Sequence, residues 1–274
     1  MDKTVAILAR TNRSLAPVEQ ALSAEEIPFF YLNRSGFFAQ PEIRTILAYL
    51  GCVNFPADYL LSACIKTSLW PAKFLPKTRL LARLKELQNS KEPSYWNLLT
   101  QEPESLVESK NLGTLRDFTS FIHGLSRYKS LSAENALKQV LTVLKAVDYY
   151  NTEEVSVDSD PLENLSTLVK ISKRFGTVKE FLDYARKVTA ASKKKSGVAL
   201  STIHAAKGLE FHSVYLIQCS EGILPHAKSN DLEGEANCFF VGCSRAEREL
   251  IITYSGQPSG FLKKEKNDTS VAGN

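Results

Sequence analysis

The hydrophobic pattern at the start of the chain predicts a β-α-β unit. Val5–Ala9 is a continuous apolar run of strand length, which is typical of a strand buried on both faces of a parallel sheet. Residues 27–32 form a second short run, rich in aromatic side chains, with a proline near its start. Between the two runs, Ser14 can cap a helix that extends to about Glu26.

The same pattern returns in the last part of the chain. Three apolar runs there have the length of strands: 198–203, 213–219 and 249–254. Residues 233–246, which precede the last of them, form an apolar-rich stretch of helical length. Five strands with helices or loops between them favour an open, doubly wound α/β sheet. Residues 1–31 and 196–274 are therefore predicted to form one discontinuous domain.

Residues 32–195 have a different pattern, in which apolar positions recur at spacings of three and four. This spacing predicts helices, and six candidates stand out: 41–53, 77–88, 112–128, 133–149, 161–175 and 178–191. Because the segment is far too long for a connecting loop, we expect a helical subdomain inserted into the α/β domain. The lysine-rich tract 192–197 is interpreted as a solvated linker rather than a phosphate-binding tract, and the last dozen residues are expected to fray.

Composition narrows the class of protein without fixing its function. Hydrophobic residues make up 43% and charged residues 23% of the chain, which argues against a disordered, collagenous or disulfide-framework protein. The 34 basic and 30 acidic residues give a formal net charge of +4. This mild excess permits a nucleic-acid partner but does not require one.

The cysteines and the most apolar stretch bear on the compartment. Five cysteines without a CxxC pair predict reduced, mostly buried thiols in a cytoplasmic protein without disulfides. The most lipid-like stretch, 45–65, is interrupted by Pro56 and Asp58, which argues against a membrane span.

Several catalytic motifs are missing from the sequence. There is no G-x-x-x-x-G-K-[ST] loop to hold a nucleotide phosphate, and the nearest candidate for a magnesium-binding acidic pair is the single Glu221. The chain alone is therefore not expected to hydrolyse a nucleotide. His204, His212 and His226 are not at metal-ligand spacing with the cysteines, so no metal site is expected.

Three segments occur in an informative order: VAILARTN at 5–12, LSTIHAAKGLEF at 200–211 and EANCFFVGCSRAERELIITY at 235–254. They closely resemble the second-half motifs of the UvrD, Rep and PcrA family of superfamily 1 DNA helicases, in which the last two are motifs V and VI. Runs at 41–50 and 160–186 also resemble the helical insert of that family. The resemblance implies a RecA-like parallel sheet, a P-loop NTPase-like fold without the P-loop, interrupted by an inserted all-α subdomain.

The resemblance also implies a nucleotide-binding set. Arg245 matches the motif VI arginine that reaches the γ-phosphate, a post for which a permanently charged, forked guanidinium is suited. Glu210 matches the motif V glutamate that accepts a ribose hydroxyl, Gly208 allows a close backbone turn, and Lys207 lies on the same loop. Taken without the motif, Arg245 is a surface arginine at a helix end and Glu210 a capping glutamate.

A second set is implied for single-stranded DNA. Thr202 and His204 follow a predicted strand, where open α/β sheets present ligand-binding side chains. Arg10, Thr11 and Asn12 match the RTN segment that touches DNA phosphates in the family; such contacts position a strand without reading its sequence. In isolation, the histidine is an ordinary packed residue and the Thr-Asn pair a turn or helix cap.

The expected function is thus the C-terminal portion of an ATP-dependent 3′-to-5′ DNA helicase, acting on single-stranded and duplex DNA. ATP with Mg²⁺ would be shared with a first motor domain that carries the Walker A and B motifs. One departure is that Ala236 and Asn237 stand where most members have an arginine pair. A catalytically inactive helicase-like module that binds nucleic acid or protein is the alternative, and a small-molecule-binding α/β domain is less favoured.

Overall fold

The computed structural model describes residues 4–32, 36–91, 94–151, 160–191 and 196–262. The chain divides into two compact units. One contains the described residues up to Gly36 and those from Ala191 onward, and the other contains the described residues between Phe37 and Ala190. The predicted linker at 192–197 falls largely outside the described residues, and the tail predicted to fray falls entirely outside them.

The first unit is built on five parallel strands in the order β2-β3-β1-β4-β5. Their bounds are β1 Val5–Ala9, β2 Phe29–Tyr31, β3 Val198–Thr202, β4 Phe211–Leu216 and β5 Ala246–Ile252. The predicted fold class is confirmed: a parallel α/β sheet whose sequence is interrupted by an all-α insertion.

The central position of β1 follows from its uninterrupted apolar sequence. Ala6 and Leu8 are fully buried, and β1 pairs with β3 on one side and β4 on the other. The register places Ala9 opposite Thr202, so the carboxyl ends of β1 and β3 lie side by side. The two segments that follow these strands are therefore neighbours in space.

Two helices complete this unit within the part of the chain that the structure describes. Helix α1 spans Asn12–Ala24, and its N-cap is Thr11 rather than the predicted Ser14. The Thr11 backbone is extended and its Oγ1 accepts the Ser14 N–H at 3.3 Å, which is the usual N-cap bond. The second of these helices, Leu232–Cys243, begins after Asp231, whose Oδ1 accepts the Gly234 N–H at 2.8 Å.

The predicted starts of β4 and β5 are too late by two or three residues. Phe211 and Ala246 already pair with each other at the start of the two strands. Glu247 and Arg248 are exposed on β5, which lies at the edge of the sheet, so charged residues are tolerated there. Their polarity hides the beginning of the strand from a search for apolar runs.

The second unit is helical. Its helices are α2 Pro41–Cys52, α3 Asp58–Lys66, α4 Lys77–Lys91, α5 Tyr95–Gln101, α6 Pro103–Leu106, α7 Leu112–Gly124, α8 Ala133–Val143, α9 Ala146–Tyr150, α10 Pro161–Ser172 and α11 Val178–Ala191; the C-terminal helix of the first unit is then α12. The helix predicted over 133–149 is interrupted at Lys145, where φ is +49°. Helices α3, α5 and α6 were missed because they are short.

Asp58 shows why the apolar stretch 45–65 is not continuous. It begins α3, and its Oδ1 accepts the Tyr95 N–H at 2.8 Å, which joins α3 to the start of α5. No helix in the described ranges is long and apolar enough to cross a membrane. All five cysteines are free, and burial raises the pKa of Cys219 to about 12.

Gly197, immediately before β3, approaches the backbone of Pro28 closely, and a mutation can test this contact. Its φ is +101°, and a Cβ there would lie 2.0 Å from the Pro28 carbonyl oxygen, which accepts the Val198 N–H. Gly256 has φ of +72° but nothing within 4 Å of such a Cβ. In urea unfolding we expect Gly256→Ala to cost ~1–2 kcal/mol and Gly197→Ala roughly 2 kcal/mol more. Equal costs would contradict the close approach of Gly197 to Pro28.

Candidate functional site

The carboxyl ends of β1 and β3 bring the predicted DNA-contacting residues together. Ile203 donates its N–H to the Ala9 carbonyl at 2.9 Å, which sets the segment after β3 beside the segment after β1. Thr202 Oγ1 accepts the Ala205 N–H at 3.3 Å and so caps the short turn that begins at His204. His204 is exposed here. We name the side of the sheet at which the parallel strands end the carboxyl edge, and the side at which they begin the amino edge.

The three RTN residues differ in their availability at the carboxyl edge. Asn12 is half-buried, whereas Thr11 is buried and caps α1. Arg10 is only 9% exposed, and its guanidinium is bonded to Glu235. The side chains of Arg10 and Thr11 are thus already engaged within the chain, and His204 and Asn12 are the ones that a ligand can reach most directly.

The predicted nucleotide-binding residues lie at the opposite, amino edge of the sheet. Phe211 starts β4 directly after the loop 207–210, and its N–H donates to the Arg245 carbonyl at 2.9 Å. Lys207, Gly208 and Glu210 are all exposed. Gly208 adopts φ of +86°, a conformation that glycine reaches without steric cost.

The guanidinium of Arg245 is held against this loop. Its Nη1 donates to the Leu209 carbonyl at 2.9 Å, its Nε to the Val241 carbonyl at 3.0 Å and its Nη2 to Ser244 Oγ at 2.9 Å. These bonds use three of the five N–H donors of a guanidinium. Arg245 and Glu210 are therefore neighbours, with Leu209 and Phe211, which flank Glu210, both bonded to Arg245.

A buried polar cluster at the carboxyl edge was missed by the sequence reasoning. Arg10 Nε lies 3.1 Å from both carboxylate oxygens of Glu235, and Arg10 Nη2 lies 2.8 Å from Oε1. Glu235 is 3% exposed, and its Oε2 also accepts the backbone N–H of His226 at 2.9 Å. The only signal in the sequence is an acid placed just before the apolar part of α12, and that signal does not identify the partner.

His226 is the third member of the cluster. Burial, followed by the nearby charge of Arg10, lowers its pKa below the ordinary value. Its Nδ1 accepts the Lys228 N–H at 3.2 Å, which also requires an unprotonated nitrogen. Within the cluster, Arg10 and Glu235 are a buried cation and a buried anion that are paired with each other.

The chemistry of the amino edge suits a nucleotide in part. A carboxylate such as that of Glu210 accepts hydrogen bonds from sugar hydroxyls, and a guanidinium forks onto phosphate oxygens. Mg²⁺ prefers clustered carboxylates and phosphates. Among the described residues, no group of three or more His, Cys, Asp or Glu side chains is placed to hold a metal ion.

Sequence comparisons show which proteins this chain is similar to. The chain matches the UvrD-like helicase C-terminal domain over residues 1–257. It is 29% identical to the ATP-dependent DNA helicase Rep of Buchnera aphidicola subsp. Acyrthosiphon pisum (strain APS), over 91% of this chain and 41% of that protein. It is 27% identical to PcrA of Bacillus subtilis (strain 168), over 97% and 38%. It is 26% identical to Rep of Escherichia coli (strain K12), over 92% and 40%.

The chain spans about two fifths of the length of these curated relatives. The family match, by contrast, extends across the three motifs, the sheet and the helical insertion. The resemblance seen in the sequence is therefore confirmed. The chain belongs to the UvrD-like helicase C-terminal domain family.

Proposed function

We propose that this chain is the C-terminal portion of an ATP-dependent 3′-to-5′ DNA helicase. The α/β unit would be the second RecA-like motor domain, discontinuous over 1–31 and 196–274, and 32–195 its inserted subdomain. One observation carries the proposal: the short segment 203–210 joins the carboxyl edge, with His204, to the amino edge, where Leu209 is bonded to Arg245. The proposed DNA contact at one edge is thus joined to the proposed nucleotide-binding loop at the other by a short, continuous stretch of backbone.

On the nucleotide side, Arg245 is proposed as an arginine finger. Its guanidinium donates hydrogen bonds to the carbonyls of Leu209 and Val241. A γ-phosphate brought to the amino edge would compete for these donors, because charge-assisted bonds to phosphate are about twice as strong as bonds to neutral carbonyls. Glu210 would accept a ribose hydroxyl, with Lys207 and Gly208 on the same loop.

On the DNA side, His204 and Asn12 are proposed to contact the phosphates of a single strand. Thr202 would position His204 through the capped turn. Arg10 and Thr11 would shape the loop from within, because both are buried and bonded. Such contacts suit a motor that must move along any sequence.

ATP with Mg²⁺ is proposed as the cofactor, shared with a first motor domain that supplies the Walker A and B motifs. Magnesium would be held largely by that other half. The chain alone is not expected to hydrolyse ATP. The free, reduced thiols favour a cytoplasmic setting, where the enzyme would act on single-stranded and duplex DNA.

A catalytically inactive module with the helicase fold is the second candidate. Ala236 and Asn237 occupy the positions in α12 where the family usually has an arginine pair. Without those two positive charges, the helix would bind anions less well. In that case, binding of DNA or protein would remain but Arg245 would keep its carbonyl partners.

The DNA proposal is tested by the binding of a fluorescent oligothymidylate to the chain at increasing salt. The affinity should fall on a log-log plot with a slope of about −0.7 per phosphate contacted. His204→Ala should weaken binding roughly fivefold, the worth of about one hydrogen bond. His212→Ala, which changes a histidine at the start of β4, is the matched control and should stay within about twofold. Equal effects of the two variants, or binding without salt dependence, would refute the proposal.

A further inference from the structure

Arg10 and Glu235 form a buried ion pair that joins the end of β1 to the first turn of α12. Three donor–acceptor distances of 2.8 to 3.1 Å join one guanidinium to one carboxylate. The side chains are 10% and 4% exposed, so water does not compete strongly for either partner. Separating the two charges here is costly, because each would be left buried without its counter-charge.

Helix α12 connects the two edges of the sheet. Glu235 lies in its first turn at the carboxyl edge, and Arg245 follows its C-cap, Ser244, at the amino edge. The helix has 12 residues, which corresponds to a length of about 18 Å. It therefore covers the distance between the proposed DNA contacts and the proposed arginine finger.

Helix α12 lies with its partly buried side chains against the core of the first unit. Phe239 and Val241 pack against the core formed by the strands, which includes Ile203 and Leu216. The backbone hydrogen bonds of an α-helix join each turn to the next, from the first to the last. A shift of the first turn of α12 is therefore carried to its C-terminal end.

We propose that Arg10 and Glu235 are positioning residues that couple DNA binding at the carboxyl edge to the placement of Arg245 at the amino edge. The inference rests on the proposed function. When Asn12 and His204 take hold of a DNA phosphate, the backbone after β1 moves, and the guanidinium of Arg10 draws Glu235 and the first turn of α12 with it. This route runs parallel to the covalent path along 203–210.

The test uses the polypeptide that also contains the Walker A and B half, and compares its ATPase activity with and without oligothymidylate. Glu235→Gln keeps the shape of the side chain and an acceptor for the His226 N–H but removes the charge. Arg10→Lys keeps the charge but cannot fork onto both oxygens. Both variants should lose at least about fivefold of the DNA-stimulated kcat. For Glu235→Gln, the basal rate and the KM for ATP should stay within about twofold.

The matched control is Glu233→Gln, which removes an exposed acid from the same turn of α12 and should leave the stimulation unchanged. Normal stimulation in both Arg10→Lys and Glu235→Gln overturns the inference, provided that Arg245→Ala abolishes hydrolysis. If Arg245→Ala also has no effect, the proposed function itself has failed. A thermal melt of each variant separates a loss of coupling from a loss of folding.

Hydrogen exchange on the unmodified chain decides the matter if neither variant folds. Saturating oligothymidylate should slow the exchange of amides in the first turn of α12 and of Phe211 by roughly threefold or more. The Phe211 amide reports on Arg245 because it donates to the Arg245 carbonyl. Protection confined to the segments after β1 and β3 would overturn the inference.

Discussion

Replacing Arg245 with alanine, in the polypeptide that contains both motor halves, is expected to lower the ATPase kcat by about 10³–10⁵-fold and to abolish unwinding. The reason is that the guanidinium stabilises charge that develops on the γ-phosphate only in the transition state. Binding of ATP should change little. Steady-state ATPase assays, together with equilibrium binding of a fluorescent ATP analogue, separate the two effects.

Arg248→Ala is the control for this prediction, because Arg248 is an exposed arginine only three residues further along the chain. It should retain the ATPase rate of the unmodified protein. Arg245→Lys should recover little activity, since an ammonium cannot fork onto two phosphate oxygens. Unwinding by the Arg245→Ala protein would remove the arginine-finger assignment and favour the interaction-module alternative.

Glu235→Ala is expected to destabilise the chain by roughly 3–5 kcal/mol, because it leaves the guanidinium of Arg10 buried without its anion. The variant also removes the acceptor of the backbone N–H of His226, which adds to the cost. Urea unfolding, followed by far-ultraviolet circular dichroism, measures the free energy directly.

The appropriate comparison for Glu235→Ala is Glu233→Ala, two residues earlier in α12 and exposed. It should change the free energy of unfolding by no more than about 0.5 kcal/mol. If Glu235→Ala lowers the free energy of unfolding by less than about 1 kcal/mol, the Arg10–Glu235 pair does not hold the end of β1 to α12.

The elements whose bounds could be predicted from sequence are those with an uninterrupted apolar run. Strand β1 is central and fully apolar, so its bounds follow directly from the run Val5–Ala9. Strand β5 lies at the edge of the sheet and begins with the exposed Glu247 and Arg248, so its start was placed three residues late. Helix α8 ends where Lys145 turns the chain, and no pattern of apolar spacing encodes that turn.

The candidate site was predictable only where short motifs carry it. The proximity of Glu210 and Arg245 was implied by their motifs, and the structure brings them together through Leu209 and Phe211. Arg10 was expected at a DNA phosphate, but its partner Glu235 lies 225 positions away along the chain. A pair at that separation is invisible to local reasoning, because it is created by the order of the strands and not by any repeat or spacing.

The central claim is that this chain forms one wall of an ATP site that another motor domain completes. The position of Arg245 with nucleotide bound tests this claim most directly. The measurement is a structure of the polypeptide with both halves, oligothymidylate and a non-hydrolysable ATP analogue. The account predicts that the guanidinium leaves the Leu209 carbonyl and lies about 3 Å from a γ-phosphate oxygen, with Glu210 at the ribose. A nucleotide bound elsewhere, with Arg245 still on the carbonyls of Leu209 and Val241, would contradict it.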